Sequence, residues 1–393
     1  MKARRMHWTA WLLAFVLTAC ANSPPTPPTA APEQLFHNAR FKPPTVEIDP
    51  AAALAMTPEM RRYLATHFRN DFGSTDRRRA LIEALYRPGE LRLEYDAAIT
   101  RTAAQAFEAR SGNCLALVLM TAAFAKELGL SVRFQLAVGE PTWDRADELY
   151  LAIGHVNLSL EDRWRQTGAN RLFDAPLIVD FLTPRAAQML TTRVIEERTA
   201  VAMYLNNRAV ETLAQGGLDD AYWWARAAVD QDSSMASGYN TLGVIYRLAK
   251  RPDWALGALD RVRELEPGNL DAMSNRILVL RDLGRDAEAE GLARRLAELD
   301  PHPPYSYFRA GKEAMREGRF EDARRLFTKE IERDPGNHEF EFWLAVAYFD
   351  LHDSAHAAQH LTRAMEASTT HKDRALYAAK LARLKGEPDN RSP

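Results

Sequence analysis

The sequence predicts two folded parts, an α+β domain followed by an all-α solenoid of helical repeats. A chain of 393 residues is too long for one ordinary domain. Its first half mixes apolar runs of helical length with short alternating segments, whereas its second half repeats one helical pattern at a fixed interval. The net charge of −2 gives no support for nucleic-acid binding.

Residues 1–19 have the layout of a signal peptide. The basic start carries Lys2, Arg4 and Arg5. The apolar stretch 11–18 is too short to span a bilayer as a mature helix. Leu17-Thr18-Ala19-Cys20 resembles the lipobox of bacterial lipoproteins. The resemblance implies cleavage before Cys20, lipidation of Cys20 and an outer-membrane anchor facing the periplasm, since Ala21 and Asn22 are not aspartate. The alternative is an ordinary secretory signal with Cys20 kept in the mature chain.

Residues 20–45 predict a lipidated, proline-rich tether. Its prolines are Pro24, Pro25, Pro27, Pro28, Pro32, Pro43 and Pro44. Such a composition favours extended polyproline II and cannot build a core. We therefore expect the tether to hold the folded part away from the membrane.

Residues 46–195 predict the α+β domain. Helices are expected at 57–67, 74–86, 98–109 and 114–128. Thr57 with Pro58 is a typical helix start, and Gly129 a typical helix end. Strands are expected at 132–138, 155–160 and 177–181.

From residue 200 onward a period of 34 residues predicts helix pairs. Alanines recur at Ala221, Ala255, Ala289, Ala323 and Ala357, and prolines at Pro267, Pro301 and Pro335. A small-residue position recurs as Ala209, Gly243, Ile277, Gly311 and Ala345, with one misfit at Ile277. Two antiparallel helices approach closely only where side chains are small. The register resembles the tetratricopeptide repeat and implies five repeats over 200–371, closed by a capping helix at 372–385.

This resemblance implies a concave groove lined by the first helix of each repeat. The expected lining residues are Asn206, Asn240, Asn275, Arg281, Arg309, Lys312 and Phe342. Amides, bases and aromatic rings suit an extended peptide or protein partner. The alternative is that the repeats pack on the α+β domain and bind nothing.

Cys114 is the candidate nucleophile of the α+β domain. It begins an apolar helix, and the positive end of a helix stabilises a thiolate. His155, at the start of a later strand, is the candidate general base. Asp180, after the next strand, is the candidate group that orients the imidazole. Asp174 competes with Asp180 for that role, and Gln105 is a candidate oxyanion donor.

The same region resembles a known family. Gly112-Asn113-Cys114, an alanine-rich helix and a strand with Arg133 resemble the transglutaminase-like core, which is related to the papain-like cysteine proteases. The resemblance implies Cys114 as nucleophile, His155 as base and Asp180 as orienting acid. The sequence departs from the family in lacking an aromatic residue just after His155.

The implied activity is cysteine-dependent acyl transfer, and the sequence leaves proteolysis, amide hydrolysis and transamidation open. The competing reading is a non-catalytic repeat scaffold with a degenerate transglutaminase-like domain. His352, His356 and His360 fall four residues apart, which indicates one solvated helix face or, as a weaker alternative, a zinc site. No metal and no cofactor are expected.

Overall fold

The structure, a computed structural model, describes residues 32–68, 76–86, 94–96, 99–138, 142–146, 149–153, 155–161, 175–181, 191–303, 305–368 and 370–386. The predicted signal peptide, Cys20 and Asp174 lie outside these residues. Within the described ranges, no helix combines the length and the apolar character needed to cross a membrane.

The first part of the chain is an α+β domain. Its helices are α1 (Pro58–His67), α2 (Arg77–Tyr86), α3 (Ala103–Ala109) and α4 (Cys114–Glu127). Its strands are β1 (Glu94–Tyr95), β2 (Ser111–Gly112), β3 (Ser131–Val138), β4 (Thr142–Ala146), β5 (Leu149–Ile153), β6 (Val156–Glu161), β7 (Leu177–Val179) and β8 (Thr191–Ile195).

The main sheet has the strand order β7-β6-β3-β8, and every neighbouring pair is antiparallel. A separate hairpin, β4–β5, lies in the chain between the two central strands. Helix α4 packs on the sheet against β6 and β3, and also contacts α3. Its residues Cys114 to Ala125 are all buried, because the segment is apolar around its whole circumference. The first turn of α4 is therefore fixed at the centre of the domain.

Local capping signals explain where the predicted helices begin. Helix α1 is confirmed, with Thr57 Oγ1 accepting from the Met60 N–H at 3.2 Å. Helix α3 begins later than predicted, because Thr102 and Gln105 form a reciprocal capping box. The hairpin β4–β5 and strand β8 were not predicted.

The second part is the predicted all-α array. The helices are α5 (Glu197–Ala214), α6 (Leu218–Gln231), α7 (Ala236–Leu248), α8 (Pro252–Leu265), α9 (Leu270–Asp282), α10 (Asp286–Leu299), α11 (Ser306–Arg316), α12 (Phe320–Arg333), α13 (His338–Asp350), α14 (Ser354–Ala367) and α15 (His371–Leu384). The first ten helices pair in sequence, and α15 packs on α14.

The small-residue position works together with a second position, sixteen residues later, on the other helix of each repeat. The five pairs are Ala209 with Ala225, Gly243 with Leu259, Ile277 with Ala293, Gly311 with Phe327, and Ala345 with Leu361. A Cβ on Gly311 would lie 2.6 Å from the Phe327 ring, and one on Gly243 would lie 2.9 Å from Leu259. In the third repeat the large residue, Ile277, is on the first helix and packs against a cluster containing Ala293. The apparent misfit is thus compensated within its own repeat.

The tether prediction is wrong for its C-terminal part, because the segment from residue 32 to residue 46 packs on the first two repeats. Phe41 stacks on Tyr222, with ring centroids 3.9 Å apart. His37 stacks on Trp254, at 3.8 Å. The Tyr246 hydroxyl donates to the carbonyl oxygen of residue 35 at 2.6 Å. The prolines suggested a segment without a core, but the aromatic residues between them anchor it to the array.

Candidate active site and repeat groove

The Cys114 thiol is held at the first turn of α4 by its neighbours in sequence. The Asn113 side chain accepts from the Ala116 N–H at 2.9 Å and so caps the helix. A Cβ on Gly112 would lie 2.9 Å from that of Ala116, so glycine permits the close approach of β2 to α4. Cys114 is a reduced thiol, 6% exposed. Each residue of Gly112-Asn113-Cys114 thus has a separate part in placing the sulfur.

The imidazole of His155 lies between Cys114 and Asp180. The Ala137 N–H donates to the His155 carbonyl at 2.8 Å, which extends the β3–β6 ladder and fixes the backbone of His155. His155 Nε2 lies 2.8 Å from Asp180 Oδ1. The side chains of His155 and Asp180 are 11% and 10% exposed. Three residues from α4, β6 and the end of β7 therefore converge on one partly buried site.

The electrostatics of this site favour a protonated imidazole. Burial opposes the charge on His155, but hydrogen bonds with the side chains of Asp180 and Cys114, and their negative charges, outweigh it. The pKa of His155 rises to about 9. At neutral pH the arrangement therefore favours the imidazolium form of His155.

Asn157 is a site residue that the sequence analysis missed. Its Nδ2 donates to Asp180 Oδ2 at 2.8 Å, while His155 occupies the other carboxylate oxygen. Asn157 is 4% exposed and lies two residues after His155, so both fall on one face of the strand. The sequence contains one indication of this role, since Asn157 is an amide residue two positions after the candidate base His155.

The first turn of α4 also supplies hydrogen-bond donors. The Ala116 N–H is bonded to the Asn113 side chain and the Leu117 N–H to the Asn113 carbonyl. Among the described hydrogen bonds, this leaves the N–H groups of Cys114 and Leu115 for a developing oxyanion. The oxyanion role of Gln105 stays a prediction, because its described contacts are the capping box with Thr102.

The structure brings some of the expected groove residues together. Asn275 Nδ2 donates to Asn240 Oδ1 at 3.0 Å across the second and third repeats. Asn206 Oδ1 is buried and has no hydrogen-bond partner among the residues that the structure describes. These three asparagines lie on the first helices α5, α7 and α9, where a backbone could accept or donate hydrogen bonds. Arg281 and Arg309 are exposed on the first helices α9 and α11.

The far end of the groove is aromatic and basic. Lys312 Nζ lies 4.5 Å from the centroid of the Trp343 ring. Phe342 stacks on Tyr377 of α15, with centroids 5.1 Å apart, and Lys380 Nζ lies 5.5 Å from the Phe342 ring. The capping helix thus contributes Tyr377 and Lys380, which sequence analysis did not assign to the groove.

The three histidines do not form the expected helical row. His352 has φ of +61° and lies in the turn before α14, so it does not share that helix with the other two. His356 bonds to Asp353 and His360 to Glu341, each at 2.6 Å. Over the described part of the chain, no group of three His, Cys, Asp or Glu side chains is arranged to hold a metal ion.

Comparison with known proteins identifies the repeats. A tetratricopeptide-repeat family profile matches residues 240–304 and 308–371. These residues, which form the second to fifth repeats, are therefore tetratricopeptide repeats. No curated protein matches the chain.

Solved structures similar to this chain include YrrB, MamA and PilF. YrrB, described as a TPR protein with an unusual peptide-binding site, is 24% identical over 46% of this chain and 92% of its own, with a TM-score of 0.25. MamA from Desulfovibrio magneticus RS-1 is 17% identical over 44% and 96%, with a TM-score of 0.26. PilF of Pseudomonas aeruginosa is 16% identical over 49% and 87%, with a TM-score of 0.29.

Proposed function

We propose that this protein is a repeat scaffold that binds an extended peptide or protein segment in the groove of its tetratricopeptide repeats. The observation that carries the proposal is the set of asparagines on successive first helices. Asn240 and Asn275 are hydrogen-bonded to each other, and the Asn206 oxygen has no partner within the described part of the chain. Amide side chains on a concave surface bind a peptide backbone without regard to its sequence. The basic and aromatic end, with Lys312 and Trp343, suits an acidic or aromatic residue of the same ligand.

The position of the N-terminal segment supports a ligand site on the first helices. Residues 32–46 contact mainly the second helices α6 and α8, through residues such as Tyr222, Trp223 and Trp254. That side of the first two repeats is therefore already covered by the chain itself. The asparagines of the first helices take no part in these contacts.

Selection from a displayed library of random peptides tests the binding proposal. We expect the full chain to retain peptides, enriched in those with an acidic or aromatic residue, and the variant Asn240→Ala with Asn275→Ala to retain far fewer of them. Arg294→Ala with Glu298→Ala, two exposed changes on the second helix α10, is the matched control. Equal enrichment by the groove variant and the control would contradict the proposal.

A second function, acyl transfer at Cys114, is supported by the contacts of His155 with Asp180 and Cys114. In this mechanism the Cys114 thiolate attacks the carbonyl carbon of an amide or ester, and the N–H groups of Cys114 and Leu115 stabilise the oxyanion. The C–N or C–O bond breaks as His155 gives its proton to the leaving group, which leaves a thioester. Water or an amine then attacks the thioester, giving its proton to His155 and restoring the thiolate.

Alkylation kinetics test this second function. We expect iodoacetamide to modify Cys114 at neutral pH faster than it modifies a peptide thiol, and His155→Ala to abolish the difference. Modification is followed by mass spectrometry of the peptide that contains Cys114. If the wild-type rate equals that of a peptide thiol and His155→Ala leaves it unchanged, the domain is a degenerate, non-catalytic one. The repeat proposal would stand in that case.

For the location, we propose the lipoprotein reading of residues 1–20, with an outer-membrane anchor at Cys20 facing the periplasm. The support is the Leu17-Thr18-Ala19-Cys20 string and the absence of aspartate after it. More than one acyl chain gives stable anchoring. Cys20→Ser should move the protein from the membrane fraction to the soluble fraction on cell fractionation. Retention in the membrane fraction would exclude a lipid anchor at this residue.

A further inference from the structure

We propose that the first helix of the repeat array completes the Cys114 site, with Thr100 and Glu211 as its positioning residues. The proposal rests on the acyl-transfer function proposed above. Its physical basis is a chain of hydrogen bonds that runs from the cap of α4 to α5.

The first part of this chain joins Asn113 to Thr100. Asn113 uses its two side-chain groups in opposite directions. Its oxygen accepts from the Ala116 N–H, and its Nδ2 donates to Thr100 Oγ1 at 2.7 Å. Because Asn113 immediately precedes Cys114, any rotation of its amide moves the helix cap that positions the thiol.

The second part joins Thr100 to the repeat array. The Thr100 N–H donates to Glu211 Oε1 at 2.7 Å, and the Thr100 hydroxyl is a further hydrogen-bond partner of that carboxylate. Asn207 Nδ2, one turn earlier on α5, donates to Thr100 Oγ1 at 3.3 Å. Thr100 is therefore held by two side chains of α5 and holds one side chain of the α4 cap.

The chain of hydrogen bonds from Asn113 through Thr100 to Glu211, here called the bridge, is buried, and the negative charge of Glu211 is compensated. Thr100 is 1% exposed. Glu211 accepts a salt bridge from Arg208 at 2.6 Å, and Arg208 lies over the Trp224 ring at 5.6 Å. Burial raises the pKa of the Glu211 carboxyl, while its bonds with Thr100 and Arg208 oppose that rise. The Glu211 carboxylate is bonded to Arg208 on one side and to Thr100 on the other. These bonds hold the carboxylate in one orientation, and the carboxylate in turn holds Thr100 in place.

The functional consequence is that the α+β domain does not hold its proposed nucleophile alone. Cys114, His155 and Asp180 come from the first domain, but the cap that aims the Cys114 turn is bonded through Thr100 to a helix of the repeats. A ligand that shifts α5 would therefore change the setting of the thiol relative to His155. In this way the groove and the proposed active site would be coupled.

Isosteric variants of Thr100 in the full chain test the bridge. Thr100→Val removes the hydroxyl, Thr100→Ser restores it, and Thr121→Val is the matched control. Thr121 is also buried, but its hydroxyl bonds to the Leu117 carbonyl in the middle of α4. We expect Thr100→Val to lower the iodoacetamide rate at Cys114 about fivefold, the effect of losing one helix cap. The rates of Thr100→Ser and Thr121→Val should stay within about twofold of wild type.

A second pair of variants separates the bridge from other contacts between α4 and α5. Glu211→Gln removes the charge at the bridge. Glu197→Gln is its control, because Glu197 also lies on α5 but bonds to Lys126 at the far end of α4, at 2.7 Å. Only Glu211→Gln should slow alkylation. This pair decides the question if Thr100→Val fails to fold.

The outcomes of this experiment and of the test of acyl transfer are distinct. A fast, His155-dependent wild-type rate with Thr100→Val equal to Thr121→Val, or with Glu211→Gln equal to Glu197→Gln, would overturn the bridge alone. A slow wild-type rate that does not depend on His155 would overturn the acyl-transfer function, and the bridge with it.

Discussion

At the scale of single residues, two side chains, His155 and Asn157, share the carboxylate of Asp180. Asp180 bonds to His155 through one oxygen and accepts from Asn157 on the other, so both carboxylate oxygens are hydrogen-bonded. The order of Cys114, His155 and Asp180 along the chain could be read from the sequence. The role of Thr100 could not be read, because it comes from a partner 111 residues away. For Asn157 the sequence offered only its position two residues after His155, since the carboxylate that it contacts lies 23 residues away.

The raised pKa of His155 predicts a specific pH dependence. Because the folded-state pKa of about 9 lies above the ordinary value of 6.5, the stability contributed by the charged imidazole is complete below about pH 6.5. That contribution is lost as the pH rises through about 9. The difference in unfolding free energy between wild type and His155→Gln should shrink over this range, as measured by urea unfolding at several pH values. A difference that already disappears near pH 6.5 would contradict the raised pKa.

Asn157 gives a second prediction at this scale. Asn157→Ala removes the donor to Asp180, which weakens the hold on His155 and lowers the alkylation rate of Cys114 about tenfold at neutral pH. Ser159→Ala is the matched control, because Ser159 is equally buried and lies two residues further on the same strand face. Equal rates for the two variants would mean that Asn157 has no positioning role.

At the scale of elements, the sequence predicted the helices of the array well, because a 34-residue period repeats the same packing constraint five times. It predicted α4 for a similar reason, since an apolar run capped by Asn113 and ended by Gly129 leaves little choice. It failed at the hairpin β4–β5 and at β8. Segments such as Thr191–Ile195 are short, and their strand conformation depends on pairing with β3.

The paired positions within the repeats predict a stability effect. Gly311→Ala places a methyl group against the Phe327 ring and should cost about 1–3 kcal/mol of unfolding free energy. Phe327→Leu in the same chain should recover part of that loss, which a double-mutant cycle in urea measures. Gly291→Ala is the control, because a Cβ on this helical glycine meets nothing within 4 Å, and it should stabilise the protein slightly. Strictly additive effects of the Gly311 and Phe327 changes would contradict the paired packing.

At the scale of the whole molecule, the two parts of the chain are joined at more than one place. The α+β domain contacts α5 through α4, β3 and the bridge at Thr100. The segment that precedes the domain crosses to the repeats and packs on α6 and α8. This crossing was not predicted, because the proline content of the segment indicated an extended tether and drew attention away from the aromatic residues that make the contacts.

Phe41 is the residue to change in a test of the crossing. It is 7% exposed and stacks on Tyr222, so Phe41→Ala should cost about 3 kcal/mol of unfolding free energy. Hydrogen exchange should show faster opening of α6 and α8 than of α12 and α14. Val46→Ala, at the exposed end of the same segment, should change stability by less than about 0.5 kcal/mol. A wild-type stability for Phe41→Ala would mean that the segment is a passive tether after all.

The pairs formed by the small-residue position and the position sixteen residues later also affect which helices pair with each other while the array folds. All five units share one length, so a helix of one repeat can meet the second helix of another during collapse. Ile277 against Phe327 would collide, and Gly311 against Ala293 would leave a void, so these mismatched encounters are penalised. By the same reasoning, the gene can gain or lose a complete helix pair at little cost, but exchange of a single helix between repeats would break the packing. Ile277, the misfit at the small-residue position, thus distinguishes the third repeat from the repeats on either side.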